Sequence, residues 1–396
     1  METIKKIYRK GYGPSSSHTM APHAAALQFK AEHPDAHTFR VTLYGSLAAT
    51  GRGHRTDKAL QDGAAPIPVE IVWQPDIVLP FHTNGMHFEA LDAQGHTTAD
   101  WTIYSVGGGA LANETTSETV QQVYSMSTLA EILPYIEREG LTYWEYVEQC
   151  EGPTIWPYLQ DMWDTMQHTI VQGLQAEGVI PGGLHLRSKA RQYYVRASSY
   201  KPSLQSRALV IAYALATSER NAVGGYIVTA PTCGSSGVLP AVLYHLKQAH
   251  NFSDTEILRA MATAALFANV IKHNASLSGA EVGCQGEVGS ACVMAAVAAN
   301  QLFGGSPQQI EYAAEMAMEH NLGLTCDPMC GLVQIPCIER NAMAALRALD
   351  INIYAMMSDG KHIISFDKVV RTMRRTGHDL PSLYKETSLG GLAVDE

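Results

Sequence analysis

No apolar run in this sequence of 396 residues is long enough to span a bilayer. The longest, AVLYHL and SACVMAAVAAN, suit the core of a globular protein. The basic N-terminus METIKKIYRKGYGPSSS is followed by no apolar stretch, so a secretory leader is not expected. Charged residues are scarce, 17%, and the formal net charge is -10, which speaks against a general nucleic-acid surface. The short basic clusters KKIYRK and RTMRR read as solvated helix faces. The P-loop pattern G-x4-G-K-[ST] is missing, and no G-x-G-x-x-G joins a strand to a helix, so a nucleotide site has no support. H-E-x-x-H and a G-x-S-x-G elbow are also absent. Cysteine is sparse and odd in number: seven, mostly in the last two-fifths of the chain. That is a poor disulfide scaffold and fits a reduced, cytoplasmic setting. The close C-x2-C pairs typical of zinc sites do not occur.

What is present has two textures. In the first part, 38–47, 67–73, 87–93 and 98–109 carry β-branched and aromatic residues at a period near two, the pattern of strands. A helix is expected over 23–33 and a short one in HRTDKALQDG. Beyond about residue 125 the chain reads as a succession of alanine-rich helices opened by Ser or Asp and closed by Gly, broken by one β run, GGYIVTAP. The expected fold class is α+β: a small α/β domain over 1–124, then a mostly helical domain over 125–396.

Four polar turns interrupt the apolar helices: TAPTCGSSGV (229–238), SLSGAEVGCQGEVG (276–289), GLTCDPMCG (323–331) and QIPCIERN (334–341). A helical bundle does not need such turns for stability. Their glycines leave room for a bulky ligand against the backbone. Each turn holds cysteine: Cys233, Cys284, Cys326 with Cys330, and Cys337. Cys150 and Cys292 read as buried small side chains. For the others, spacing leaves burial, zinc and an iron–sulfur cluster open, since cluster thiolates tolerate wide separation. In the first domain, GYGPSSSHTMAPHAAA (11–26) leads three serines, His18 and Thr19 into a helix start. Free N–H groups and hydroxyls there suit a carboxylate or phosphate. GSLAATGRGHRTDKA (45–59) and SVGGGALANE (105–114) are two further polar glycine loops.

GPSSSHT, GSLAATGRGHRTDKA, SGAEVGCQGEVG, GLTCDPMCGLVQIPCIERNA and LYKETSLGGLAV resemble, in order from residue 11 to about 393, the signature segments of the bacterial iron–sulfur-dependent L-serine dehydratases (L-serine ammonia-lyases). The resemblance implies a β domain, like the small allosteric or substrate-binding domain of phosphoglycerate dehydrogenases, fused to an α domain. It implies a [4Fe-4S] cluster on Cys284, Cys326 and Cys337, with a fourth iron open to substrate. It implies that Ser15, Ser16, Ser17, His18 and Thr19, together with the loop from Ser46 through Thr50 to Asp57, close over that cluster. The implied reaction is water loss from L-serine to give pyruvate and ammonia, in serine catabolism.

For removal of the Cα proton, histidine is the natural residue type, and His18 and His54 are the candidates. Ser16 and Ser17 suit the substrate carboxylate. Asp327, Glu339 and Arg340 are expected as a charged shell around the cysteines. The partner is the small molecule L-serine, with neither nucleic acid nor membrane, and a homodimer is expected. L-Threonine or L-cysteine as substrate, and a non-catalytic metal-stabilised module, remain alternatives. A pyridoxal-phosphate enzyme would need a phosphate cradle near Lys58 or Lys272, and none is evident. Two features depart from the family pattern. No cysteine follows Cys337, so a thiolate cap from the tail is not expected, and Asp395, Glu396 or the terminal carboxylate would be its oxygen substitute. Cys330 stands where many members have glycine and is expected to be a packed side chain.

Overall fold

The computed structural model describes residues 1–114 and 122–394. Strands Lys10–Tyr12 (β1), Thr38–Tyr44 (β2), Val69–Gln74 (β3), Gly85–Leu91 (β4), Thr97–Ser105 (β5), Leu111–Ala112 (β6) and Tyr226–Val228 (β7) form two sheets. Five of them make one sheet in the order β3-β2-β4-β5-β6, with only β2 and β3 parallel. The sequence reason is plain in β2. Phe39, Val41 and Leu43 alternate inward while Thr38, Arg40 and Thr42 do not. The buried face is covered by helices Ala21–Glu32 (α1) and Thr56–Ala64 (α3), with the short helix Gly45–Ala49 (α2) turning the chain straight after β2. Because β2 and β3 run parallel, the link between them must cross over, and α2 with α3 is that crossover. Phe29 of α1 packs on Phe39, Phe88 and Trp101.

The second body is helical: Leu129–Glu139 (α4), Tyr143–Glu151 (α5), Ile155–Gln175 (α6), Ala190–Ala197 (α7), Pro202–Ala222 (α8), Val238–His250 (α9), Asp254–Asn274 (α10), Gly279–Val282 (α11), Ser290–Leu302 (α12), Pro307–Glu319 (α13), Cys337–Met357 (α14) and Phe366–Asp379 (α15). Helix α12 is buried on all sides from Ser290 to Asn300 and lies between α9, α10, α13 and α14. Its Ala-rich sequence allows that, since small side chains let neighbouring helices approach from every direction. The expected α+β class and the helical second body are what the structure shows.

One connection was not legible. Ile4, Ile7 and Tyr8 belong to the helical core, and the Tyr8 hydroxyl donates to the Met261 carbonyl. Strand β1 pairs antiparallel with β7. The chain therefore starts in the helical body, makes the sheet domain and returns. Two short strands more than two hundred residues apart carry no local signal of their pairing.

Candidate active site

The segment Ser16–Met20 is a single π-helical turn that runs into α1. Such turns are rare and concentrate at functional sites. Ser15 caps it, its hydroxyl accepting the His18 N–H at 3.0 Å. The Thr19 hydroxyl donates to the His54 carbonyl at 2.7 Å, and Thr56 Oγ1 donates to the His18 carbonyl at 2.5 Å. These bonds fasten the serine–histidine turn to the loop after α2. As a result the rings of His18 and His54 stack, with centroids 4.6 Å apart.

Hydrogen bonding assigns the tautomers. His54 Nδ1 lies 2.9 Å from the Thr50 carbonyl, so it carries the proton, and Nε2 keeps its lone pair. His18 Nε2 lies 3.2 Å from the Ser46 carbonyl and must donate, while its Nδ1 accepts from the Ser17 hydroxyl at 2.8 Å. Both rings are buried. Burial lowers the pKa of His18 to about 4, and burial with the neighbouring His18 lowers that of His54 to about 3. Both are neutral at pH 7.

The facing wall is helical. Cys284 follows α11 and opens a second π turn, Gln285–Gly289. Cys337 begins α14, and Cys326 lies on the strand-like segment between. The three thiols sense one another electrostatically, Cys326 and Cys337 each raised in part by Cys284. None is in a disulfide. Burial pushes Cys284 to about 11 and the other two well above the ordinary thiol range. Arg340, one turn into α14, sets its guanidinium beside Cys284 while donating to the Thr325 carbonyl at 2.6 Å and pairing with Asp327 at 3.4 Å. Gly279 keeps the space open: a Cβ there would come within 3.1 Å of the Cys326 sulfur. Among the described residues no three His, Cys, Asp or Glu side chains are placed to hold a single metal ion. A cubane, whose irons each take a separate thiolate, asks for a wider arrangement.

The two walls meet. Gly53, beside His54, lies so close to the Cys330–Gly331 backbone that a Cβ would stand 2.3 Å from the Gly331 carbonyl oxygen. His82 of the sheet domain contacts Glu281 of α11 at 3.0 Å. Two carboxylates that sequence reading did not single out complete the site, Glu386 buried and Glu287 half-buried. Glu287 lies in the π turn after Cys284, its Oε2 4.0 Å from the Cys326 sulfur. Glu386 comes from the C-terminal segment. Its Oε1 is 3.6 Å from His18 Nδ1 and 3.6 Å from His54 Nε2. Burial holds both carboxyls up to about 8, with the charge of Glu386 adding to the shift of Glu287. Both stand inside motifs already recognised, EVGCQGEVG and YKETS, so the signal was present. What was missing was the way the tail folds back onto Cys326.

Most expected residues come together: Ser15, Ser16, Ser17, His18, Thr19, Ser46, Thr50 and His54 are buried on one wall, Cys284, Cys326 and Asp327 on the other, with Cys337 and Arg340 half-buried beside them. Three placements differ from expectation. Glu339 does not face the thiols; it points outward from α14, its side chain 59% exposed and 3.8 Å from Lys189, because it is one residue off the buried face that Ile338 and Asn341 share. Asp57 is half-buried in the first turn of α3, where a carboxylate favours the helix dipole, and makes no described bond to either imidazole. Cys330 is exposed rather than packed, in a turn where its φ is 56°. Asp395 and Glu396 lie outside the described residues. Cys150 sits on α5, away from the thiols, and Cys292 in the core of α12.

A sheet domain that sets two neutral imidazoles against thiols of a helical domain defines a two-domain protein with a buried polar cluster where its domains meet. The chain belongs to the serine dehydratase family: the profile of the serine dehydratase alpha chain matches residues 104–393, and that of the beta chain matches 3–68 and 64–116. It is 40% identical to an L-serine dehydratase of Streptomyces coelicolor, over 99% of this chain and 98% of that one. It is 39% identical to an L-serine dehydratase of Mycobacterium tuberculosis, over 99% and 98%. To L-serine dehydratase 1 of Escherichia coli it is 37% identical, over 100% and 99%.

Proposed function

We propose that this protein is a lyase that converts L-serine to pyruvate and ammonia. The observation that carries the reading is the free lone pair on His54 Nε2, held in a buried, neutral ring opposite Cys284, Cys326 and Cys337. Family membership across both domains supports the substrate.

The three thiols fit a [4Fe-4S] cluster. They are free, Cys284 and Cys326 buried and Cys337 half-buried, mutually close and short of positive charge, with Arg340 as the only described guanidinium beside them. A cluster core brings positive charge that lets such thiols bind as thiolates. When bound, it supplies a Lewis acid for the substrate hydroxyl as the C–O bond breaks. The rest falls to the chain. The N–H groups of Ser16 and Ser17, which open the π turn and have no described acceptor, receive the substrate carboxylate. His54 Nε2 takes the Cα proton. His18 holds that ring in place by stacking, and is itself fixed by Ser17 and Ser46. Loss of the proton and of hydroxide leaves aminoacrylate, which tautomerises to an imine and hydrolyses to pyruvate and ammonia. The enclosed walls keep bulk water from the reacting atoms.

The resemblance extends this reading to a cytoplasmic homodimer. No helix of the described residues is long and apolar enough to cross a membrane. The test is anaerobic reconstitution with iron and sulfide, then stoichiometric pyruvate and ammonia from L-serine, with L-threonine and L-cysteine as competitors. Equal or faster turnover of L-cysteine would reassign the substrate. Full turnover in iron-free protein would remove the cluster from the account.

A further inference from the structure

Glu386 is held in an unusual way. Its backbone is left-handed, φ 58°, a region that a non-glycine residue enters at some cost. The strain is offset by bonds on every side. Its N–H donates to the Cys326 carbonyl at 2.8 Å, the Cys326 N–H donates to the Tyr384 carbonyl at 2.8 Å, and Ser46 Oγ donates to the Glu386 carbonyl at 2.8 Å. The segment is thus tied to both domains, and the side chain is aimed between them.

The carboxylate at the end of this scaffold has no partner that satisfies it. At 3.6 Å neither imidazole nitrogen is within hydrogen-bond distance. His18 Nδ1 is already occupied by Ser17, and His54 Nε2 carries a lone pair rather than a proton. The other groups that face it, Glu287 and the thiols of Cys326 and Cys337, are acids as well. No lysine or arginine among the described residues forms an ion pair with it. Without a cation beside it this buried carboxyl is held back from ionising, and a cationic ligand supplies the missing charge.

A free α-amino acid brings one. Its carboxylate has the N–H groups of Ser16 and Ser17, its Cα proton has His54, and its hydroxyl is directed to the thiol wall. The α-ammonium is the group left without a counterpart. We propose that Glu386 receives the α-ammonium of the substrate and so makes the site select α-amino-β-hydroxy acids over their des-amino counterparts. This rests on the serine reading above and adds to it the residue that reads the amino group.

The test uses full-length protein reconstituted anaerobically, with binding of L-serine and of its des-amino analogue β-hydroxypropionate followed by calorimetry. Wild-type protein is measured first. Turnover of L-serine with much tighter binding of L-serine than of the analogue is expected. Absence of turnover would defeat the functional reading; turnover with equal binding of the two ligands would defeat the ammonium role alone, with no variant needed. In Glu386→Gln the affinity for L-serine is expected to fall by roughly 30-fold or more, the usual consequence of removing one member of a buried charge pair. Affinity for β-hydroxypropionate should hold or improve, and Glu386→Asp should restore part of the L-serine binding. If both ligands weaken alike, Glu386 only maintains the shape of the site. If only kcat falls while L-serine binding is unchanged, it positions the imidazoles instead, and the proposal is overturned.

Discussion

Replacing His54 by glutamine separates the two imidazoles that the sequence left equivalent. In the structure they are not equivalent. Both nitrogens of His18 are engaged, one by the Ser17 hydroxyl and one by the Ser46 carbonyl. His54 is anchored only through Nδ1, at the Thr50 carbonyl, and presents Nε2 bare. A positioned general base contributes about 10²–10⁴-fold, or about 2.7–5.5 kcal/mol of barrier. His54→Gln is therefore expected to lose that much kcat. Because His18 acts through stacking and orientation, His18→Gln is expected to lose only about tenfold, the cost of a slightly misplaced base. The assay is steady-state ammonia release, with iron content and melting temperature matched to wild type. L-Serine deuterated at Cα adds an independent readout, since its isotope effect should grow in His54→Gln as proton removal becomes limiting. The pH profile bears on the same point. Burial holds His54 near 3, below its unperturbed 6.5, so the base stays unprotonated as pH falls through 6.5 and the acid limb of kcat/KM should lie well below that value. Retention of more than a tenth of wild-type kcat by His54→Gln, or a deeper loss in His18→Gln, would refute the assignment.

Three further outcomes are expected. Cys284→Ser, Cys326→Ser and Cys337→Ser should each fail to retain iron and visible colour after anaerobic reconstitution, while Cys150→Ser, Cys292→Ser and Cys330→Ser should retain both; iron-to-protein ratios decide it. Asn341 accepts the Gly237 N–H at 2.9 Å and donates to the Gly234 and Cys337 carbonyls at 2.7 and 2.8 Å, so Asn341→Ala strands buried groups at the root of α14 and should cost about 3 kcal/mol in denaturant unfolding; a loss under 0.5 kcal/mol would speak against that role. Burial lowers the pKa of His245 to about 4, whereas the unfolded chain titrates near 6.5, so the unfolded state binds the proton first and stability is lost as pH falls from about 6.5 to 4. At 1.36 kcal/mol per pKa unit this is at most about 3 kcal/mol, and His245→Gln should melt with a visibly flatter acid limb than wild type.

Much of this was readable in the sequence, for physical reasons. The alternation in TFRVTLY is the direct imprint of a sheet with one covered face, and it located β2 and the sheet around it. Ala-rich helices announced a body packed on all sides. Polar glycine turns in an otherwise apolar chain marked the site, because nothing about helix stability requires them. Glu339 shows the limit. Adjacency to Cys337 suggested a shared environment, but successive residues on a helix point about 100° apart, and only Arg340, three residues on, returns to the side of the thiols. Pairing of β1 with β7 and the return of Glu386 to Cys326 were illegible for a different reason: each depends on where distant segments are carried by the fold, and no local period encodes it.

The tail explains why site and fold cannot be separated here. Lys385 bridges in parallel to Cys326, Ser388 Oγ donates to the Pro328 carbonyl at 2.7 Å, and the Leu392 N–H donates to Asp327 at 2.9 Å. Asp327 is in turn the partner of Arg340, whose guanidinium adjoins the Cys284 thiol. On the other side, the Ser46 hydroxyl reaches the Glu386 carbonyl from the sheet domain. One segment thus joins the first domain to the shell that orients the thiols. Each of these bonds is worth only about 1 kcal/mol alone, yet they share atoms, so losing one loosens the rest. Domain approach, carboxylate placement and thiol geometry are therefore a single coupled arrangement. A site assembled from both domains and the tail acquires its chemistry only when all three are in place, which is the physical reason its parts lie so far apart in the chain.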